Sequence, residues 1–356
     1  MFDMGHPAHV HLFKNTINNL KKDGHEVKIT ARNKEVTHSL LNAYNLEYEN
    51  RGELHSGMVG KAFDMIRIDL KMFHIARKFR PDIMVGVHNP YIAQTGAILG
   101  VPAIVFTDTE NVKIASYLTY PFARAIITPI FFREPVNREK HVMINGLKEI
   151  AYLHPRYFSP DPSVPEEAGL SRGEKYIIMR FISWGASHDT DLHGIQQGTE
   201  LELIRQLEKF GKVFVTSERP FSGPLEKYRL SVPPEKIHSL LYFAQMYFGE
   251  GGTMAAEAGI LGTPAIHIES TSSGQATGET SGNFLLLRDR YGLIYFYPNE
   301  RLALEKAIEI LGNPHAKEEW QKKQERLMSD MIDVTSWLTE FIERFPESFS
   351  EYKKGT

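Results

Sequence analysis

Gly249-Glu250-Gly251-Gly252-Thr253-Met254-Ala255-Ala256-Glu257-Ala258-Gly259-Ile260-Leu261-Gly262-Thr263-Pro264-Ala265-Ile266 is the stretch that decides how this chain folds. A short apolar run, Met246–Gly249, leads into it, and another, Pro264–Ser270, leads out. The order is strand, glycine turn, helix over Thr253–Leu261, stop, strand. Gly262 ends the helix, Pro264 forbids its continuation, and the next strand begins at once. The same ending occurs earlier in the chain. Ile98-Leu99-Gly100-Val101-Pro102-Ala103-Ile104 recurs as Ile260-Leu261-Gly262-Thr263-Pro264-Ala265-Ile266, an offset of 162. Comparing Met84–Ile104 with Met246–Ile266 without gaps gives 8 identities in 21 positions. Two similar doubly wound domains in tandem explain this economically, since the offset is close to half of 356 residues. Convergence on a common way of stopping a helix is the alternative.

The rest of the chain fits the tandem reading. Glu26–Ala31, Asp82–Val87, Pro102–Thr107, Arg124–Thr128 and His141–Asn145 are short, apolar and rich in β-branched residues, as buried strands are. Ala8–Lys22 carries Val10, Phe13, Ile17 and Leu20 on one helical face, with Pro7 placed to open the helix and Gly24 to close it. Met58–Phe79 is a longer amphipathic stretch. Strand–helix alternation predicts a parallel sheet covered on both faces. The alternation pauses over Ala151–Glu174, which holds Pro155, Pro160, Pro162 and Pro165 and is the expected linker. It restarts with strands at Lys175–Phe181, Lys212–Ser217, Met246–Gly249, Pro264–Ser270 and Leu293–Tyr297, and helices at Gly198–Phe210, Ile237–Ala244, Thr253–Leu261 and Glu300–Leu311. The tail His315–Phe345 is helix former throughout, with a break expected near Asp333. The expected domains are therefore 1–150 and 175–330, joined by 151–174.

Composition narrows the function classes. The chain has no cysteine, which excludes a thiol nucleophile, a disulfide framework and Cys-ligated metal. A net charge of −3 argues against a general nucleic-acid binder. Residues 1–150 hold 19 Lys+Arg against 15 Asp+Glu, and the remainder 22 against 29. The front half is thus mildly basic (+4) and the back half acidic (−7), either through surface helices or because the front half meets an anionic partner. No apolar run approaches the ~20 residues of a membrane span, and Met1-Phe2-Asp3-Met4 lacks the pattern of a signal peptide. A cytoplasmic location, with at most peripheral membrane contact, is the expectation.

Several loops carry residue types suited to chemistry. The glycines at 249, 251 and 252 let a ligand approach the backbone, and the helix start at Thr253 favours a phosphate or diphosphate. Glu257, one turn on, is placed to accept from ribose hydroxyls. The same segment also reads as a plain strand–helix turn with Thr253 near the cap. Neither G-x-G-x-x-G after the first strand nor a P-loop is present, which disfavours NAD and P-loop chemistry. A second loop, Phe181-Ile182-Ser183-Trp184-Gly185-Ala186-Ser187-His188-Asp189, pairs Ser183, Ser187 and Arg180 for anion binding and His188 with Asp189 for proton transfer, or merely caps the next element. The first loop, Gly5-His6-Pro7-Ala8-His9-Val10-His11, holds three histidines. A metal site needs further ligands and converging side chains, whereas a helix start at Pro7 makes His9 and His11 diverge. A neutral His at a helix N-terminus suits a general base. Glu110, in Thr107-Asp108-Thr109-Glu110-Asn111, and His88-Asn89 end front-half strands and are expected to project toward the same cleft. Ser270–Gly282 reads as a substrate loop or a plain surface loop.

These residues resemble a known group. G-H-P-A-H-V-H, the pair L-G-V-P-A-I and L-G-T-P-A-I, and above all E-G-G-T-M-A-A-E-A-G-I-L-G-T-P-A-I are similar to the GT-B glycosyltransferase superfamily. Within it the whole chain resembles an uncharacterised, largely archaeal family of unknown function. It is more distantly similar to the N-acetylglucosaminyltransferase that completes the lipid-linked peptidoglycan precursor and to the UDP-N-acetylglucosamine 2-epimerases. The resemblance implies that Gly251, Gly252 and Thr253 hold the diphosphate of a nucleotide sugar and Glu257 its ribose. By the same token Ile237 reads the uracil through its backbone, Ser183 to Ser187 close on the phosphates, Asn283 contacts the donor sugar, and His9 is the base for the acceptor hydroxyl. There are departures: His6-Pro7-Ala8 replaces a glycine-rich first loop, Trp184 interrupts the small-residue loop, and a His-Gln pair before Asn283 is missing. Relatives also carry a few more apolar residues ahead of the first strand, so an earlier start codon is expected.

The expectation is an α/β protein of two Rossmann-like doubly wound domains facing a cleft, with a C-terminal helix, about 331–345, returning to the front domain. The expected activity is transfer of a sugar from a nucleotide-diphosphate donor, a UDP sugar first, to an unknown, anionic or lipid-linked acceptor, with neither cofactor nor metal. A nucleotide-sugar epimerase or hydrolase, with His188, Asp189 and Glu110 at the donor sugar, is the alternative enzyme. A non-catalytic nucleotide-sugar-binding protein is the alternative from another class.

Overall fold

Alternating apolar runs and amphipathic stretches fold as strand–helix units in the computed structural model, which describes residues 1–52, 58–110, 112–182, 192–221 and 223–355 (of 58–63 the backbone alone). Two units result, Met1–Tyr157 with Met331–Thr356, and Phe158–Asp330.

The first unit runs β1 (Phe2–Met4), α1 (Pro7–Lys22), β2 (Ile29–Ala31), α2 (Thr37–Ala43), β3 (Glu49–Asn50), α3 (Met58–Phe79), β4 (Met84–Val87), α4 (Pro90–Leu99), β5 (Ala103–Phe106), α5 (Lys113–Thr119), β6 (Ala125–Pro129), β7 (His141–Ile144) and a single turn, α6 (Ile150–Leu153). All seven strands are parallel, in the order β3-β2-β1-β4-β5-β6-β7. The chain order therefore reverses between β1 and β4, the switch point where doubly wound sheets bind ligands. The central strands Ala103–Phe106 and Ala125–Pro129 are buried along their whole length, as strands covered on both faces must be. Helices α3, α4 and α5 pack side by side, and α1 packs on α2 and α6.

The second unit holds α7 (Val164–Glu167), β8 (Tyr176–Phe181), β9 (Leu192–His193), α8 (Glu200–Leu207), β10 (Lys212–Ser217), α9 (Ile237–Phe243), β11 (Met246–Gly249), α10 (Gly252–Ile260), β12 (Ala265–Ile268), β13 (Ser270–Thr271), α11 (Gly282–Leu285), β14 (Ile294–Tyr297), α12 (Glu300–Leu311) and α13 (Ala316–Asp330). Its main sheet is parallel, in the order β10-β8-β11-β12-β14. This is the other common doubly wound order, with its switch point between β8 and β11. The two units are therefore alike around the switch point and differ on the far side of their first strands. In both, the repeated sequence occupies the same place: β4, α4 and β5 in the first, β11, α10 and β12 in the second. Ser270, read both as a strand end and as the start of a loop, pairs with His193 in a small antiparallel ladder.

The Pro-rich stretch 151–174 is no free connector. Ala151, Tyr152 and Leu153 are buried in the first unit, and Val164 and Leu170 in the second, because each unit needs those apolar side chains to close its core. After Asp330 the chain rejoins the first unit through α14 (Val334–Glu343) and α15 (Glu347–Gly355). Asp333 caps α14, accepting from Ser336 N at 2.9 Å. Thr335 Oγ1 and Asn15 Nδ2 both donate to Ala151 O, at 2.5 and 2.9 Å, and tie α14, α1 and α6 together.

Candidate functional site

In the second unit the switch-point loop is Gly249 to Gly252. Gly249 (φ 145°) and Gly251 (φ 90°) adopt conformations that L side chains rarely do. A Cβ at Gly249 would sit 2.3 Å from Arg180 O, and one at Gly251 2.8 Å from Arg180 Nε. Tyr247 donates its hydroxyl to the carbonyls of Glu250 and, at 3.2 Å, Gly251. The loop's carbonyls are thus bound from below. Gly251 is the N-cap of α10, with no side-chain hydrogen bond capping the helix and no acidic residue in its first turn. Gly251, Gly252 and Thr253 are partly exposed. Such an end offers free N–H groups and the positive end of the helix dipole to an anion.

Other expected residues lie around this loop. Arg180 borders Gly251 and binds Glu218 at 2.5 Å. Ile237 opens α9, and its neighbour His238 places Nε2 3.1 Å from Glu257 Oε1. Glu257 is only 5% exposed, so it is an inward-facing carboxylate held by His238 rather than an open acceptor. Asn283 is buried on α11, beside Phe284, whose ring edge lies 2.8 Å from where a Gly252 Cβ would be. Phe284 therefore sets a small-residue requirement at 252.

Glu250 was not singled out by its sequence context, yet it organises the region. Fully buried, it accepts from Ile182 N at 2.6 Å and Ile195 N at 2.7 Å, and pairs with Arg219 Nη2 at 3.0 Å. Arg219 Nε donates to Ile182 O at 2.5 Å. One carboxylate thus fastens the end of β8 and the segment after β9 to the glycine loop. The signal for it was an acid flanked by glycines at a strand end. Ser183, Trp184, Ser187, His188 and Asp189 lie outside the described residues, as does Asn111.

In the first unit the switch-point loop is Gly5 to His9. His6 caps α1, its Nδ1 accepting from Ala8 N at 3.2 Å, and Pro7 takes the first helical position. His9 Nδ1 accepts from Gly5 N at 3.2 Å, so the ring's proton resides on Nε2. Enclosure, then the charges of His6, Lys148, Arg51 and Lys34, hold this imidazole well below its usual range, and it is neutral at pH 7. His11 turns the other way and stacks on Tyr152 at 5.1 Å. Among the described residues no three His, Asp or Glu groups converge as metal ligands.

Beneath the loop lies a buried polar array. Asp3 accepts from Thr30 Oγ1 at 2.6 Å and from Asn89 Nδ2, and lies 3.0 Å from Arg51 Nε. Arg51 Nη2 is 3.1 Å from where a Gly5 Cβ would stand, so a larger residue there would press on the guanidinium that holds Asp3. Asn89, expected to project toward a cleft, instead faces into its own unit: it is 4% exposed and caps α4 through Ile92 N at 3.2 Å. His88 hydrogen-bonds Thr107 Oγ1 at 2.7 Å and Ser116 Oγ at 2.9 Å, and burial lowers its pKa. Glu110 accepts from Arg133 N at 3.4 Å. Lys148 pairs with Asp108 at 2.5 Å and Glu149 at 2.8 Å. Burial pulls Lys148 down, but the two carboxylates outweigh it and keep the ammonium charged. A cavity of about 1040 Å³ in this unit lies at the N-terminal ends of the strands, against Met1, Val85, Ala103 and Lys140, away from these residues.

Residues 1–273 match a family model described as protein of unknown function (DUF354). The chain belongs to this family. It is 26% identical over 279 residues to an uncharacterized protein of Methanocaldococcus jannaschii, MJ0665, covering 74% of this chain and 80% of that one. Its fold is similar to that of UDP-GlcNAc 2-epimerase from Neisseria meningitidis bound to UDP-GlcNAc (TM-score 0.63, 11% identity, 96% and 99% covered). It is also similar to SsfS6, a glycosyltransferase of Streptomyces sp. SF2575 (TM-score 0.60, 14% identity, 97% and 100% covered). These likenesses show the fold class, two Rossmann-like halves of the GT-B kind.

Proposed function

We propose that this protein is a glycosyltransferase that takes a sugar from a nucleotide diphosphate, a UDP sugar first, and passes it with inversion to a hydroxyl acceptor. The observation that carries the reading is the uncapped N-terminus of α10 at the second unit's switch point, behind two glycines that no side chain can replace without strain. The diphosphate would rest on Gly251, Gly252 and Thr253 with Arg180 beside it, the base on the backbone at Ile237, and the donor sugar near Asn283. Ser183 and Ser187 would close on the phosphates. As the acceptor oxygen bonds the anomeric carbon, the bond to the diphosphate oxygen breaks and the nucleotide leaves with the electron pair. The helix end stabilises that charge without requiring a metal.

His9 would take the acceptor's proton on the first unit, whose basic balance suits an anionic or lipid-linked acceptor. This asks for the other tautomer: Nε2 must be free to accept, so the proton moves to Nδ1 at the expense of the 3.2 Å bond from Gly5. The ring as it stands is a donor. That observation counts against His9 as the base and so toward the second reading, an epimerase or hydrolase of the same fold with His188, Asp189 and Glu110 at the donor sugar.

Incubation with UDP-N-acetylglucosamine alone separates the two. An inert donor, consumed only when an acceptor is added, is the expected result, with His9→Ala lowering turnover by about 10²–10⁴-fold at unchanged donor affinity. Epimerised or free sugar without acceptor contradicts transfer.

A further inference from the structure

The outward surface of α3, α4 and α5 has no role in the reading above. Helical periodicity turns Ile68, Met72, Ile75 and Ala76 of α3 into the core. Its outward arc carries Arg67, Lys71, Arg77 and Lys78, all exposed. The acids Asp64 and Asp69 turn inward: Asp64 is 1% exposed and pairs with Arg67 at 3.2 Å, and Asp69 is half-buried, which leaves Lys71, Arg77 and Lys78 as the cations of that arc without an acid described beside them. Neither α4 nor α5 contains an acid, and α5 adds Lys113.

The same surface is apolar. Ile66 and Leu70 on α3, Ile98 on α4, and Ile114 and Tyr117 on α5 are 57–79% exposed. Among the described residues ten large apolar side chains are exposed; nine lie in the first unit, five of them on these three helices. Scattered exposed apolar residues are ordinary. Their concentration on a layer whose exposed charges, among the described residues, are all cationic is not.

We propose that this face docks the protein on an anionic lipid surface, the apolar side chains entering the headgroup boundary and the cations meeting lipid phosphates. Among the described residues no helix is long and apolar enough to cross a membrane, so the contact is peripheral. A second copy of the chain fits less well, because a two-fold contact would set cations against cations across an apolar surface. Docking is independent of sugar transfer, and its failure would leave the donor site untouched.

Flotation with phosphatidylcholine vesicles, with and without phosphatidylglycerol, tests it. The protein should float with the anionic vesicles only, and less so as salt rises. The double variant Arg77→Glu with Lys78→Glu should lose at least tenfold in vesicle affinity, and Leu70→Ser with Ile114→Ser several-fold, at unchanged melting temperature and unchanged nucleotide binding. No flotation, equal flotation on both vesicle types, or light scattering showing a dimer that these substitutions dissociate would overturn the proposal.

Discussion

The repeat places two strand–helix turns at equivalent points, His88-Asn89-Pro90 before α4 and Glu250-Gly251-Gly252 before α10, each the same 162 residues apart. One helix end is closed and the other open. Asn89 caps α4 through Ile92 N while its amide holds Asp3, and Pro90 brings no N–H at all. Gly251 leaves α10 uncapped, and Glu250 faces away from the helix end to bind Ile182, Ile195 and Arg219. The same local architecture thus closes over a buried polar array in the first unit and leaves an uncapped helix end in the second. Position in the fold does not make a site; what occupies the cap does.

The strongest way to break this comparison is at Glu250. Glu250→Ala takes the 3.0 Å partner from a partly exposed Arg219 and strands two backbone N–H groups, and should cost about 2–5 kcal/mol in denaturant unfolding. A loss below ~1 kcal/mol would deny Glu250 its organising role. Asn89→Ala removes both a cap and a partner of Asp3, so about 2–4 kcal/mol of stability should go. Nucleotide affinity should not change, and if it does, the closed end takes part in donor binding. Gly251→Ala reverses the emphasis: a non-glycine residue at φ 90°, against Arg180, should destabilise by about 1–3 kcal/mol and weaken nucleoside-diphosphate binding at least tenfold by calorimetry. Full affinity in that variant would place the ligand elsewhere. The smallest effect concerns pH. Because His9 titrates well below its unfolded value near 6.5, the unfolded chain holds more protons between those two values. Stability should fall as pH drops below 6.5, by at most about 1.4 kcal/mol per pH unit from this group. His9→Gln should flatten that part of the curve measured by urea unfolding from pH 7 to 5; an unchanged slope would mean that His9 is not held neutral.

Much of this was legible from periodicity. Strand–helix alternation, the glycine turn and the Gly-x-Pro stops are local patterns, and the elements at Met58–Phe79, Lys212–Ser217 and Met246–Gly249 stand where the pattern puts them. Sheet order was not legible, because nothing in a strand's own residues says which edge it joins. Hence the second unit's β10-β8-β11 order, against β3-β2-β1-β4 in the first, came only with the structure. The buried Asp3–Arg51–Asn89 array was hidden for the same reason: its members are far apart in sequence and meet through sheet order alone. Asp3 inside the apolar Phe2-Asp3-Met4 was the available signal, a charge where a strand expects none. Glu257 was expected to meet a ribose on residue type and spacing alone, whereas its burial against His238 depends on how α9 packs on α10.

The central claim is that the open end of α10 binds a nucleoside diphosphate, and a thermal-shift screen of uridine, guanosine and thymidine diphosphates tests it most directly. A ligand at ~100 times its Kd adds about 2.7 kcal/mol to the folded state and raises the melting temperature accordingly. Such a shift is expected for at least one of them, uridine diphosphate first, and its loss in Gly251→Ala. An unmoved melting temperature with all three would contradict the claim.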